Sequence, residues 1–226
     1  MPAVISVVIP VHNGTAFLAE CLWSIVAQTQ QPVELIVVDD GSVDDSARVA
    51  ADVVAAHGRG CVHRQVNGGV AAARNAGLAR SAGQYIGFCD HDDVWLPEKL
   101  ARQLAFLLAH PDVGAVMTRQ EPFFEESVSA PPRWLQPDRR FGDLGGVLPM
   151  SALVRRAAFD VVGAFSEART GADDLDWFLR ARREGVGIDV IPEVLVRRRI
   201  HSSNASYDTG RMRHGLLASL HELTRG

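Results

Sequence analysis

An α/β architecture, a mostly parallel sheet flanked by helices with a more mixed C-terminal part, is the fold class that this sequence predicts. Three observations carry it. Short apolar runs rich in β-branched residues, such as Ile5-Ser6-Val7-Val8-Ile9-Pro10-Val11, alternate with segments whose apolar residues recur at helical spacing. The runs are continuous rather than alternating with polar residues, as strands covered on both faces require. Polar clusters stand directly after three of the runs, where open parallel sheets gather their ligands.

Residues 5–11 form the first expected strand, and Leu18, Cys21, Leu22, Ile25 and Val26 trace one helical face behind it. The unit repeats with a strand over 35–38, a helix over 44–57 stopped by Gly58, and a strand over 62–66. An alanine-rich helix over 70–81 leads to a strand over 85–89, and a helix over 97–108 opens with proline in its first turn. From Glu121 to Gly146 prolines, glycines and scattered aromatics leave no period, so this stretch is expected to be irregular, and functional or mobile. Order returns as a strand over 147–154, helices over 156–162 and 173–184, and two short strands over 188–191 and 194–199. Leu216, Leu217, Leu220 and Leu223 predict a final amphipathic helix.

Composition narrows the function. A hydrophobic share of 47% with 22% charged residues is that of an ordinary globular protein, and a net charge of -4 offers no basic face for a nucleic-acid backbone. No apolar run reaches the ~18 residues of a membrane span and no basic leader opens the chain, so a cytoplasmic protein without a transmembrane segment is expected. Cys21, Cys61 and Cys89 lack paired spacing and read as reduced core residues.

The strand ends hold the chemistry. Pro10-Val11-His12-Asn13, Asp39-Asp40-Gly41-Ser42 and Asp90-His91-Asp92-Asp93 would lie together at the carboxyl edge of the sheet. Asp39 ends an apolar strand where a carboxylate can accept hydrogen bonds from a base or ribose, whereas Asp40 to Ser42 serve equally as turn and cap residues. Three carboxylates at one strand end repel one another unless a cation neutralises them, and all-oxygen ligands suit Mg²⁺ or Mn²⁺ shared with substrate phosphates. Asp93 can alternatively cap the following helix.

Taken together these stretches resemble family 2 glycosyltransferases, nucleotide-sugar transferases of the GT-A class. The resemblance extends through Val37-Val38-Asp39-Asp40-Gly41-Ser42, Asn67, Gly69, Ala73-Arg74-Asn75, Gly83 and Tyr85 into the DxD element Asp90-His91-Asp92. Gly163-Ala164-Phe165 with Asp173-Asp174-Leu175-Asp176-Trp177, and Arg199-Ile200-His201 with Asn204 and Ser206, resemble the family's later signatures, although Asp-Asp stands where Glu-Asp is usual and His12 where tyrosine is common.

The resemblance implies a single GT-A-like domain over 1–226: a nucleotide-binding half to about 118, an acceptor and catalytic half over about 119–206, and a terminal helix over about 207–226. It implies that Pro10, His12, Asn13, Asp39, Arg74, Asp90, His91, Asp173 and Arg199 line the nucleotide-sugar site. Asp92 and His201 would hold Mn²⁺ or Mg²⁺, and Asp174 would be the catalytic base. The expected reaction is inverting, non-processive transfer of one sugar from a nucleoside-diphosphate sugar, a UDP-sugar by preference, to an unknown hydroxyl acceptor: a glycan, lipid-linked, peptide or small molecule. Processive relatives carry QxxRW, and Ala130 stands where that motif needs glutamine before Arg133-Trp134. The alternatives are a sugar-phosphate nucleotidyltransferase, against which Val11-His12-Asn13-Gly14-Thr15 lacks a glycine-rich loop, and a non-catalytic nucleotide- or carbohydrate-binding module.

Overall fold

The computed structural model describes residues 5–31, 33–126, 128, 149–168 and 171–204. The expected final helix, Trp134 and most of the 121–146 stretch lie outside them.

Strands β1 (Ile5–Val11), β2 (Val33–Asp39), β3 (Gly60–Arg64) and β4 (Tyr85–Phe88) build the parallel half. They are joined through helices α1 (Leu18–Val26), α2 (Ser46–His57) and α3 (Val70–Arg80). The second half adds β5 (Val94–Trp95), α4 (Lys99–Ala109), β6 (Val113–Phe124), β7 (Leu153–Arg155), α5 (Arg156–Val162), α6 (Asp173–Arg183) and β8 (Gly187–Ile200). All eight strands form one sheet in the order β3-β2-β1-β4-β7-β6-β8-β5, with β7 antiparallel to both β4 and β6 and β5 antiparallel to β8. The expected α/β class with its mixed C-terminal part is thus what folds.

Each face of the sheet is sealed separately. Ile5, Val7, Ile9, Leu35 and Val37 pack beneath α1, α2 and α4, while Val8, Ile36 and Val38 pack beneath α3 in a layer that continues to Phe159 of α5 and Trp177 of α6. Burial on both faces explains the unbroken apolar runs. Close approach of α3 to β1 requires Gly77, because a Cβ there would meet Val8 Cγ1 at 2.3 Å. α2 ends on Gly58 at φ 73°, the left-handed cap that glycine adopts without steric cost.

Three expectations change. Residues 121–124 are not irregular but continue β6, pairing with β8 as far as Phe124↔Ile200. Among the described residues β7 flanks β6 only around Ala115 and Val116, so at Pro122 the strand is paired on the β8 side. Over 188–199 there is one strand, not two: the partner of Thr118 is Ile191 and that of Arg119 is Val194, a bulge at Pro192-Glu193. The strand expected over 147–154 is instead a 3-10 turn at Pro149–Ser151 followed by β7. Ser151 is diverted there, its Oγ accepting from the Thr118 N–H at 3.3 Å and its carbonyl from Gln103 Nε2 at 2.8 Å.

Candidate functional site

β1, β2 and β4 run parallel, so their carboxyl ends and the polar residues after them share one edge of the sheet. Neighbouring strands are ~4.8 Å apart, which sets the end of β2 about 10 Å from that of β4, roughly the reach from a nucleobase to a diphosphate.

At the end of β2, Asp39 is fully buried. Its Oδ1 accepts from the Ser42 N–H at 2.9 Å, while Oδ2 has no hydrogen-bond partner although Arg64 Nε lies 3.2 Å away. A buried carboxylate oxygen that is ion-paired but has no hydrogen bond, at a ligand-binding edge, suits an N–H or O–H supplied from outside. Asp40 is structural: Oδ1 accepts from Gln65 Nε2 at 2.9 Å and from the Gly68 N–H at 2.8 Å, and Oδ2 from the Gly69 N–H at 2.8 Å, fixing the loop that enters α3. His12, directly after β1, is exposed; its Nδ1 is 2.9 Å from the Asp40 carbonyl and 3.2 Å from Asn67 Nδ2. Asn13 takes a left-handed φ of 54° and receives the Val43 N–H at 2.9 Å, and Pro10 lies within β1.

The turn after β4 carries the carboxylates. Asp90 accepts from Arg74 Nη2 at 3.1 Å and keeps its side chain 39% exposed. His91 packs over Gly14, where an added Cβ would meet His91 Cδ2 at 2.3 Å. Asp92 Oδ2 accepts from His201 Nε2 and Asn204 Nδ2, each at 3.0 Å. The Ser203 N–H donates to His201 Nδ1 at 3.3 Å, which leaves the ring proton on Nε2, facing Asp92.

Adjacent acids in this turn are driven in opposite directions. Burial pushes the Asp93 carboxyl well above the usual range, with Asp92 and Asp90 pushing the same way. Burial also opposes ionisation of Asp92, but the His201 hydrogen bond and the nearby imidazoles outweigh it and hold that carboxyl low. Asp93 is a structural acceptor, taking the Arg199 N–H at 3.1 Å.

α6 brings the third cluster. Asp173 is buried and accepts from Arg74 Nη1 at 2.5 Å. Asp174 is partly exposed, and its Oδ1 accepts from the Leu175 N–H at 2.6 Å. Burial raises the Asp174 carboxyl, Arg74 draws it back down, and Asp173 raises it again. A half-buried carboxylate of raised basicity close to Asp90, Asp173 and Arg74 is suited to accept a proton.

Arg199 is only 5% exposed. Its guanidinium is gripped by Glu20 and Glu125, donates through Nε to the Asp92 carbonyl at 3.0 Å, and lies over the rings of Phe17 and Phe123 at 4.7 and 4.5 Å. Glu20, Glu125, Phe17 and Met150 join the site with no sequence signal of their own, whereas Asn75 and Asn204 fall within the stretches that carry the family resemblance.

Among the described residues no three His, Cys, Asp or Glu side chains converge as a ready-made metal cage. Asp92, held ionised and oriented by His201 and Asn204, is nonetheless a fitting carboxylate for Mg²⁺ or Mn²⁺, which take one or two protein ligands and fill the remainder with water and phosphate oxygen.

The family model for glycosyl transferase family 2 matches residues 6–163. The chain belongs to that family. An uncharacterised glycosyltransferase of Rickettsia prowazekii is 30% identical over 217 residues, covering 89% of this family 2 chain and 65% of the relative. Glycosyltransferase GlyG of Streptococcus pneumoniae is 40% identical over 95 residues, covering 42% of the chain and 32% of that protein. Among solved structures, the mannosyltransferase PcManGT from Pyrobaculum calidifontis, in complex with GDP-Man and Mn²⁺, superposes with a TM-score of 0.80 at 20% identity over all of this chain and 65% of its own. S. aureus TarS 1-349 in complex with UDP-GlcNAc gives 0.73 at 20% identity, over 92% of this chain and 61% of its own. These superpositions share the GT-A-like fold, and the family 2 chain spans 65% or less of each of these proteins. Among the described residues no helix is long and apolar enough to cross a membrane.

Proposed function

We propose that this family 2 chain transfers one sugar from a nucleoside-diphosphate sugar, a UDP-sugar by preference, to an acceptor hydroxyl, in a single inverting and non-processive step that depends on a divalent cation. The observation that carries the reading is Arg74, which joins Asp90 after β4 to Asp173 beside Asp174 and so supports donor and base roles for groups that lie close together. Nucleotide-sugar donors are bound in PcManGT and in TarS, and Asp92, oriented by His201, suits the Mn²⁺ present with the former.

In this reading Asp39 Oδ2 accepts from the base, His12 lies against it, Asn13 and Pro10 shape the floor, and Asp90 and His91 face ribose and diphosphate. A cation held by Asp92, with His201 beside it, supplies charge neutralisation for the departing diphosphate. Asp174 takes the acceptor proton, a role worth ~10²–10⁴-fold in rate. Arg199 braces the Asp92 carbonyl from behind.

The test is thermal unfolding with UDP, GDP and TDP, each with Mn²⁺ and again with chelator. A nucleotide at ~100 times its dissociation constant stabilises by about 2.7 kcal/mol, a rise of several degrees. A metal-dependent rise for one base supports the donor reading; no rise for any of them rejects it.

A further inference from the structure

Two adjacent residues of α3 reach across to the segment that leads into α6. Asn75 Nδ2 donates to the Phe165 carbonyl at 3.0 Å while its Oδ1 receives the Phe165 N–H at 2.9 Å, a reciprocal pair of bonds between elements 90 residues apart. Arg74 Nη1 donates to Asp173 at 2.5 Å, and Nη2 to Asp90 at 3.1 Å and to Met150 Sδ at 3.0 Å. From the other side, Trp177 Nε1 donates to the Gly163 carbonyl at 2.8 Å and Arg180 to the Val162 and Ala164 carbonyls at 2.7 and 2.8 Å. The turn after α5 is therefore held from both α3 and α6.

An arginine at the floor of a nucleotide-sugar cleft invites a phosphate role. Here the side chain is 5% exposed, both terminal nitrogens are committed to protein groups, and Nε is buried without a partner. We infer that Arg74 is a positioning residue: it fixes the base Asp174 against the donor turn by serving as the shared counter-charge of Asp90 and Asp173, in place of any contact with the donor, while Asn75 holds the Phe165 turn. This deepens the proposed function and rests on Asp174 being its base.

Electrostatics agrees with the geometry. The charged groups that act on Asp174 are Arg74 from α3, Asp173 from its own helix and Asp90 from the end of β4; burial raises its carboxyl, and only Arg74 among the three pulls it down. Loss of the guanidinium leaves two carboxylates without their cation, and both raise the proton affinity of Asp174.

The experiment needs no acceptor. The side-chain carboxyl of Asp174 is followed by ¹³C NMR across pH in wild type, Arg74→Gln, Arg74→Lys and Asn75→Ala, with Asp174→Asn used to assign it. Binding of UDP with Mn²⁺ is measured by calorimetry on the same proteins. Arg74→Gln is expected to raise the Asp174 midpoint by about one pH unit, tenfold in proton affinity. Asn75→Ala is expected to leave that midpoint in place while the Phe165 amide exchanges with solvent at least ~10-fold faster. If Arg74→Gln does not fold, Arg74→Lys keeps the charge without the fork, and the first turn of α6 is expected to lose ~10-fold in amide protection.

An unmoved Asp174 midpoint in Arg74→Gln, or unchanged protection of α6 in Arg74→Lys, overturns the positioning role. UDP binding weakened tenfold with Asp174 unmoved assigns Arg74 to the donor instead. Absence of UDP binding by the wild-type protein counts against the nucleotide-sugar reading alone, because the Asp174 titration is read without ligand.

Discussion

Asp92 and His201 stand 109 positions apart in the chain, yet His201 Nε2 lies 3.0 Å from Asp92 Oδ2, with Asn204 donating to the same oxygen. One follows the fourth strand and the other the eighth, and β5 pairing with β8 is what closes the distance. The pair leaves Asp92 ionised and oriented, the state in which a carboxylate ligates a hard cation.

Asp92→Asn is therefore expected to remove the metal-dependent part of UDP binding, and His201→Gln to weaken Mn²⁺ affinity by roughly 10–100-fold through loss of orientation. Calorimetry of UDP with Mn²⁺, repeated with chelator, checks both. Equal affinity of the wild-type protein under the two conditions rejects metal dependence.

Asp174→Asn is expected to lower donor turnover by about 10²–10⁴-fold while UDP affinity changes by no more than a few-fold. Burial raises this carboxyl, so the proton-accepting form exists only above a midpoint higher than that of an ordinary aspartate. Turnover must then be full above that pH and fall as pH drops through it. An acid limb no higher than that of a solvated aspartate contradicts the assignment.

Arg199→Ala removes the cation shared by Glu20 and Glu125 and the support of the Asp92 carbonyl. Partly buried networks of this kind cost about 2–4 kcal/mol to break, so the unfolding midpoint should fall by roughly 4–16 °C. Lysine cannot reproduce the fork, and Arg199→Lys is expected to recover only part of the loss. Thermal denaturation of the three proteins decides it; a midpoint unchanged in the alanine variant shows the network to be inert.

Lys99 is fully buried, its Nζ donating to Gln103 Oε1 at 2.8 Å and resting 3.7 Å from the Trp95 ring centroid. Burial lowers its pKa to about 7. The unfolded chain holds that proton up to about pH 10.4, so between pH 7 and 10 it binds more protons than the native state and stability rises with pH. The slope is at most about 1.4 kcal/mol per pH unit, reduced by the attraction of the charged form to the indole face. Urea denaturation at pH 7, 8 and 9 should show the rise in wild type, and Lys99→Met should flatten it; parallel curves for the two reject a neutral Lys99.

The strand ends were legible because their signals are local. Continuous apolar runs announce strands buried on both faces, and an aspartate that ends such a run falls at the ligand edge, as Asp39 and Asp90 do. The extension of β6 past Pro122 was not legible, since the tolerance for proline depends on which edge of the strand lies unpaired, a property of the neighbour and not of the segment. Two-residue β5 exists only because β8 lies beside it.

By itself the sequence determined the α/β class, the parallel β1, β2 and β4 core, and the identity of the acids that crowd its carboxyl edge, because periodicity and strand-end chemistry act over a few residues. Only the tertiary structure decided what those acids meet: that Asp40 clamps a loop while Asp39 Oδ2 faces Arg64 without a hydrogen bond, that Arg199 is bound by Glu20 and Glu125, and that Arg74 ties Asp90 to Asp173. A charged side chain is satisfied by whichever partner the packing of distant elements delivers within ~3 Å, and no spacing along the chain encodes that distance.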